Sequence, residues 1–168
     1  MVIGGFSLPL DGTTVVAVEQ CLGAVRFEAL SVTRSSDALT APLTVVGSQS
    51  VALARCSIST TGRMFPGAFG QPYNGQAGIR CEGSSLALYD CTVSGANGGD
   101  GYAPLISLRV PPGFGGDGVT LVAPSTLMIA GGACSGGAGG NGLASLCCCN
   151  QVPTNGQDGA RGGPTADL

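Results

Sequence analysis

The residues able to do chemistry are few. The chain carries eight cysteines, ten carboxylates and seven arginines, with no histidine and no lysine. Without histidine, the commonest general acid and base is missing. The run LCCCNQ sets Cys147, Cys148 and Cys149 side by side. Adjacent cysteines surround one zinc poorly, and neither a C-x-x-C pair nor a histidine completes a four-ligand site. Disulfide chemistry suits the run better: a bridge within it, or from it to Cys21, would pin a long loop, and the sequence leaves the connectivity open. The clusters NGGDG (97–101) and GGDG (115–118) offer calcium carboxylate and carbonyl oxygens. They lack the nonapeptide calcium repeat and read more simply as turns built on a positive-φ glycine. No catalytic, cofactor-binding or metal residue is therefore nominated, and calcium is the one cofactor left open.

What positions these groups is a repeat. Apolar residues at steps of two, three and two recur five times: Met1, Ile3, Phe6, Leu8; Val25, Phe27, Leu30, Val32; Val51, Leu53, Cys56, Ile58; Leu86, Leu88, Cys91, Val93; and Leu127, Ile129, Gly132, Cys134. A step of two is the period of a strand, and the step of three is a corner that keeps both pairs on the inner face. Ahead of the last four windows stands a further alternating pair: Val16 and Val18, Leu43 and Val45, Ile79 and Cys81, Val119 and Leu121. Each repeat thus predicts three short strands whose like residues stack about 4.8 Å apart. Successive windows start 24, 26, 35 and 41 residues on, so the excess leaves as long glycine-rich loops, 59–78, 94–118 and 135–159. A rival register stacks Cys21, Cys56 and Cys91, which lie 35 residues apart. The five-window register accounts for more residues and sends Cys21 to a turn.

Composition narrows the classes. Only 10% of residues are charged and the net charge is −3, so the basic stripe that nucleic-acid binding needs is absent. No apolar run is long enough to span a bilayer, and the opening MVIGGFSLPLDG has neither the basic nor the apolar region of a signal peptide. With 43% hydrophobic residues, 1–168 is expected to form one domain, either a mature segment or a piece of a longer chain. Cysteine usage points to an oxidising compartment.

The strand spacings, with loop returns such as GQAGIR, GGDGVT and GQDGAR, resemble secreted right-handed parallel β-helix proteins of the pectate-lyase-like superfamily, especially glycine-rich bacterial surface proteins. The resemblance implies an all-β, single-stranded right-handed parallel β-helix, a solenoid of about four to five coils with its long loops on one edge. Its polysaccharide-cleaving members imply carboxylate clusters on the outer face. Here the outward positions read Ala17, Thr44, Arg80, Thr120 on the first strand and Val2, Arg26, Ala52, Ala87, Met128 on the second, and Glu28 and Asp90 fall in different columns. The stripe Ala52, Ala87, Met128 is expected either to lie under Phe65, Phe69, Leu105, Ile106 and Leu108 of the loops or to meet another subunit. The third strand turns out Ser7, Ser31, Ser57 and Thr92, a wet hydroxyl face. Cys56 and Cys91 are expected to stack as reduced thiols, with Cys81 and Cys134 also inward. Uncapped ends suggest end-to-end stacking, and the stripe lateral packing, with the chain as its own partner and surface polysaccharide as another. The expected function is an extracellular or cell-surface structural, adhesive or self-assembling module without catalytic activity. The alternative is a carbohydrate-binding or polysaccharide-cleaving fragment.

Overall fold

Side chains that alternate in and out along a strand must find partners of the same character on the neighbouring strand, and the repeat supplies them. The computed structural model describes residues 2–4, 7–10, 15–35, 40–61, 74–105 and 108–140. All regular elements among them are strands: β1 (Val2–Gly4), β2 (Ser7–Leu10), β3 (Val16–Glu19), β4 (Ala24–Glu28), β5 (Ser31–Ser35), β6 (Leu43–Val46), β7 (Ser50–Ala54), β8 (Ser57–Thr61), β9 (Ile79–Glu82), β10 (Ser85–Ser94), β11 (Tyr102–Leu105), β12 (Leu108–Val110), β13 (Val119–Val122) and β14 (Thr126–Ser135). Each strand of a repeat pairs in parallel with its counterpart one repeat on. The register joins Val25, Val51, Leu86 and Leu127 in one column, Phe27, Leu53, Leu88 and Ile129 in a second, and Val32, Ile58, Val93 and Cys134 in a third. On the other side, Val18, Val45, Cys81 and Leu121 pair in line.

The expected single right-handed β-helix solenoid is corrected. Backbone pairing divides into two separate parallel sheets, one of eight strands and one of four, with β11 and β12 as an antiparallel pair apart from both. The physical reason lies in the two corners. At the first, Ala29, Arg55, Asp90 and Gly131 take a left-handed conformation with φ of 52°, 53°, 51° and 75°, joined in the last repeat by Gly132 at 81°; the strands part there into β4 and β5 and into β7 and β8, but β10 and β14 each run unbroken through it for ten residues and so join both sides into one sheet. At the second, Gln20, Gly47 and Gly83, with φ of 49°, 59° and 56°, turn the chain away from the sheet, and β3, β6, β9 and β13 pair only among themselves. The predicted loop 94–118 is also more ordered than a loop, since it contains β11 and β12.

The inward columns make one apolar core from both sheets, in which Leu30, Leu43, Leu53, Ile58, Ile79 and Leu88 are fully buried. Burying a side chain of this size contributes about 1.5–3 kcal/mol. A left-handed non-glycine residue gives back about 1–2 kcal/mol. The corners persist because their N–H groups are used: Ala29 donates to the Ala54 carbonyl at 2.9 Å and Arg55 to that of Tyr89 at 2.8 Å. Cover thins towards the last repeat, where Leu127, Ile129 and Cys134 are only partly buried and Leu121 is 44% exposed.

Two substitutions separate core from corner in denaturant unfolding. Leu53→Ala is expected to cost about 2–5 kcal/mol. Asp90→Val should cost about 1–2 kcal/mol through its positive φ, whereas Asp90→Gly should cost nothing.

Candidate functional site

Buried polar groups come first, because each needs a partner. At the second corner, Ser48, Ser84 and Ser125 hold equivalent places and form a ladder: the Ser48 N–H donates to Ser84 Oγ at 2.8 Å and the Ser84 N–H to Ser125 Oγ at 3.5 Å. Cys21 stands one repeat earlier, where its N–H donates to Ser48 Oγ at 3.2 Å, so it lies in the turn expected of it and not over Cys56. Cys21 forms no disulfide, and Cys147, Cys148 and Cys149 lie outside the described residues. The ladder backs an open groove of about 350 Å³ lined by Ser48, Gln49, Ser84, Ser85, Pro124 and Thr126. Sequence reasoning missed it, although a serine follows Gly47 and Gly83 directly.

The thiols of Cys56, Cys81 and Cys91 are buried and reduced. Cys91 Sγ accepts the Cys56 N–H at 3.4 Å and donates to the Leu53 and Tyr89 carbonyls, both at 3.3 Å, so it fills the corner as a polar spacer. Its hydrogen bond with Cys56, and then burial, push the Cys91 thiol up, and burial pushes Cys81 up.

The outer faces are largely neutral. Ala52, Ala87 and Met128 stand in register, the alanines half-buried and Met128 48% exposed. Phe65, Phe69 and Ile106, with the side chains of Leu105 and Leu108, lie outside the described set. Beside this stripe, β5, β8, β10 and β14 carry two hydroxyl columns: Ser31, Ser57 and Thr92, and Thr33, Ser59, Ser94 and Ser135. Thr33 and Ser59 share a hydrogen bond of 3.2 Å. Glu28 is ion-paired with Arg55, and Glu82 with Arg80 at 2.9 Å. Asp90 sits in the corner column of Ala29 and Arg55, a different column from Glu28. Asp117 Oδ2 accepts the Thr120 hydroxyl at 3.1 Å, and among the described residues no three acidic or cysteine side chains gather.

The glycine-rich stretches are where the structure goes furthest beyond the sequence reading. Segments 74–78, 95–100, 113–118 and 136–140 lie outside the strands, with an isolated bridge at Asn97, yet they are tied together by regular lateral hydrogen bonds. Gly75 and Gly78 donate to Phe114 and Asp117, Gly113 and Gly116 to Gly99 and Ala96, Gly137 and Gly140 to Gly116 and Gly113, and Gly98 to Ala138. Every pair of bonds advances by three residues. Burial has the same period: Asn97 and Asp100 are exposed on one segment and Phe114 on the next, while Gly113, Gly116, Gly137 and Gly140 are buried. Three residues per turn with no internal hydrogen bonds is the geometry of a polyproline-II rod, and glycine at every third place lets such rods touch backbone to backbone, as in collagen. A Cβ at Gly116 would overlap the Gln76 carbonyl, and one at Gly137 that of Ala96. Asn74 and Asn97 side-chain oxygens, each at 2.9 Å, accept the N–H groups of Phe114 and Ala138. The signal was present as glycine pairs three apart, hidden among other glycines.

No family model, curated protein or solved structure matches this chain. Nothing beyond its own residues therefore ties it to the superfamily that its spacings resemble.

The buried thiols give a pH signature. The hydrogen bond between Cys56 and Cys91 pushes Cys56 down to about 6 while it pushes Cys91 up, so these two oppose each other. Cys81 stands apart from that pair, and because burial raises its folded pKa the unfolded chain loses that proton first, so its stabilisation is whole below about pH 8.5 and drains away above it, by about 1.4 kcal/mol per pH unit. Chemical denaturation from pH 7 to 10 should show this slope, and Cys81→Ala should remove the share that Cys81 contributes.

Proposed function

We propose that the chain is a self-associating structural module that works outside the cytoplasm and adds copies end to end through its sheet edges. One observation carries this reading. Among the described residues, β1, β2 and β3 each pair on one side only, as do β13 and β14 at the opposite end, and all point the same way along their sheets. Unpaired N–H and C=O groups on an edge strand are a template for another strand. Because the two edges differ and the strands are parallel, the contact is head-to-tail and does not close on itself, which favours open filaments over dimers. The partly exposed Leu121, Leu127 and Ile129 at the β13/β14 end add apolar area to such a contact.

A second reading, carbohydrate binding, has its own support in the two neutral hydroxyl columns, which offer paired donors and acceptors on a rigid sheet. Polysaccharide cleavage draws less support, because Glu28 and Glu82 are already engaged by arginines.

Light scattering over a concentration series tests the first reading. Mass should rise with concentration without levelling at a dimer, and Leu121→Lys, at the 44% exposed end of its inward column, should abolish the rise while the strand signal in circular dichroism stays that of the parent. A strict monomer at the highest concentration contradicts it. Retention on a neutral polysaccharide column, lost when Ser57 and Thr92 are both replaced by lysine, would favour the second.

A further inference from the structure

The pairs Asn74-Gly75 and Asn97-Gly98 lie in the glycine segments, and both close on the next layer in the same way. Asn74 Oδ1 accepts the Phe114 N–H at 2.9 Å, while the following Gly75 N–H donates to the Phe114 carbonyl at 2.7 Å. Asn97 Oδ1 accepts the Ala138 N–H at 2.9 Å, while the Gly98 N–H donates to the Ala138 carbonyl at 2.8 Å. Each pair thus grips both main-chain groups of one residue, 40 residues on in the first case and 41 in the second. Packing dictates the glycine: a Cβ at Gly75 would fall 2.0 Å from the Ala96 carbonyl oxygen, and one at Gly98 2.2 Å from that of Gly113. The asparagines themselves are exposed.

An asparagine before a glycine carries a reaction of its own. The glycine nitrogen, once deprotonated, attacks the asparagine Cγ; the new C–N bond closes a five-membered succinimide, and the side-chain nitrogen leaves as ammonia with the proton. Water then opens the ring at either carbonyl, giving aspartate or isoaspartate, and no oxidant or other partner is needed. A side chain on the second residue hinders the attack, so the glycine that close packing demands is also the one that leaves asparagine most open to it. Exposure gives these side chains no cover. What holds them is the grip: the attacking nitrogen keeps its proton on a carbonyl, and the Oδ1 bond keeps Cγ on the neighbouring layer. We propose that Asn74 and Asn97 are latent modification sites, kept as asparagine only while adjacent layers stay bonded and converted once they part. Aspartate still offers an oxygen where Oδ1 stands, but isoaspartate adds a carbon to the backbone, so the following glycine falls out of step with the period of three. A layer that stays open long enough to react therefore cannot close as before.

Peptide mapping by mass spectrometry, on the full chain incubated at mildly alkaline pH, reads the conversion at each asparagine. Synthetic peptides covering 71–79 and 94–102 give the unprotected rates. In the folded chain Asn74 and Asn97 should convert at least about tenfold more slowly than in the peptides, because only the opened fraction reacts, and in denaturant at the peptide rate. Phe114→Pro removes the N–H that Asn74 accepts, at a residue 51% exposed, and keeps a φ that suits a polyproline-II rod. It should speed Asn74 about two- to tenfold, the net worth of one hydrogen bond, and leave Asn97 as in the parent. Chain carrying isoaspartate at 74, separated by chromatography, should lose exchange protection at the Gly75 amide, whereas Asn74→Asp should keep it. Conversion of the folded chain at the peptide rate overturns the inference. So does an unchanged Asn74 rate in Phe114→Pro, or a Gly75 amide still protected beside isoaspartate; if Phe114→Pro does not fold, the folded and denatured rates of the parent decide.

Discussion

Lateral backbone hydrogen bonds between successive repeats are the interaction on which the rest of the molecule depends. A short strand or an extended glycine rod makes no bonds within itself, so each is held only by what lies beside it. The chain meets this demand by returning to the same path about every 24 to 41 residues and placing a residue of similar character at each return. Val51 beside Leu86, Leu53 beside Leu88 and Ile58 beside Val93 are consequences of that requirement as much as of hydrophobic burial. The serine ladder and the thiols answer the same constraint at the corners, where a backbone N–H leaves the strand pattern and must find a side-chain acceptor. Ser84 Oγ supplies one for Ser48, and Cys91 Sγ supplies one for Cys56.

The two layers obey that constraint with different periods. In the sheets, side chains alternate and the inner face is filled with aliphatic residues. In the glycine segments, the period is three and the inner face is nearly all glycine, with the Ala96 methyl the exception, so cohesion comes mainly from close backbone approach and little from buried apolar area. This division explains how a chain with 5% aromatic residues and 30 glycines can order so much of its length. It also explains the character of the surface. Alanine, serine and threonine dominate the outer strand positions, and several of the charges that remain are tied in local ion pairs such as Glu28 with Arg55.

The strand positions were legible in the sequence because a two-three-two spacing of apolar residues suits a bent strand and fits neither a helix nor a straight one. Even the corner could be placed, since a shift from two to three is needed to keep Leu30, Cys56 and Cys91 inward. What the spacing could not reveal was how pairing is partitioned. Both corners turn on a positive φ, and at the first of them Ala29 and Arg55 adopt it without being residue types that announce it, though Asp90 is one that does. The division into sheets of eight and four strands, in place of one solenoid, follows from that hidden choice. The glycine bundle escaped for the opposite reason: glycine is so frequent that its threefold spacing does not stand out, and a period of three belongs to neither helix nor strand. The serine ladder is legible only once the Gly47 and Gly83 corners are known. Chemistry-bearing residues were the least informative part of the chain, because Cys56, Cys81 and Cys91 serve as packing and the clustered cysteines at 147–149 lie outside the described residues.

Amide hydrogen exchange, read residue by residue, tests most directly whether glycine segments are held by lateral backbone bonds as firmly as the strands. Slow exchange at Gly98, Gly113, Gly116 and Gly137, comparable with that at Leu88 and Val93, is the result this account requires. Exchange at those glycines at the rate of an unstructured peptide, while the strand amides stay protected, would contradict it.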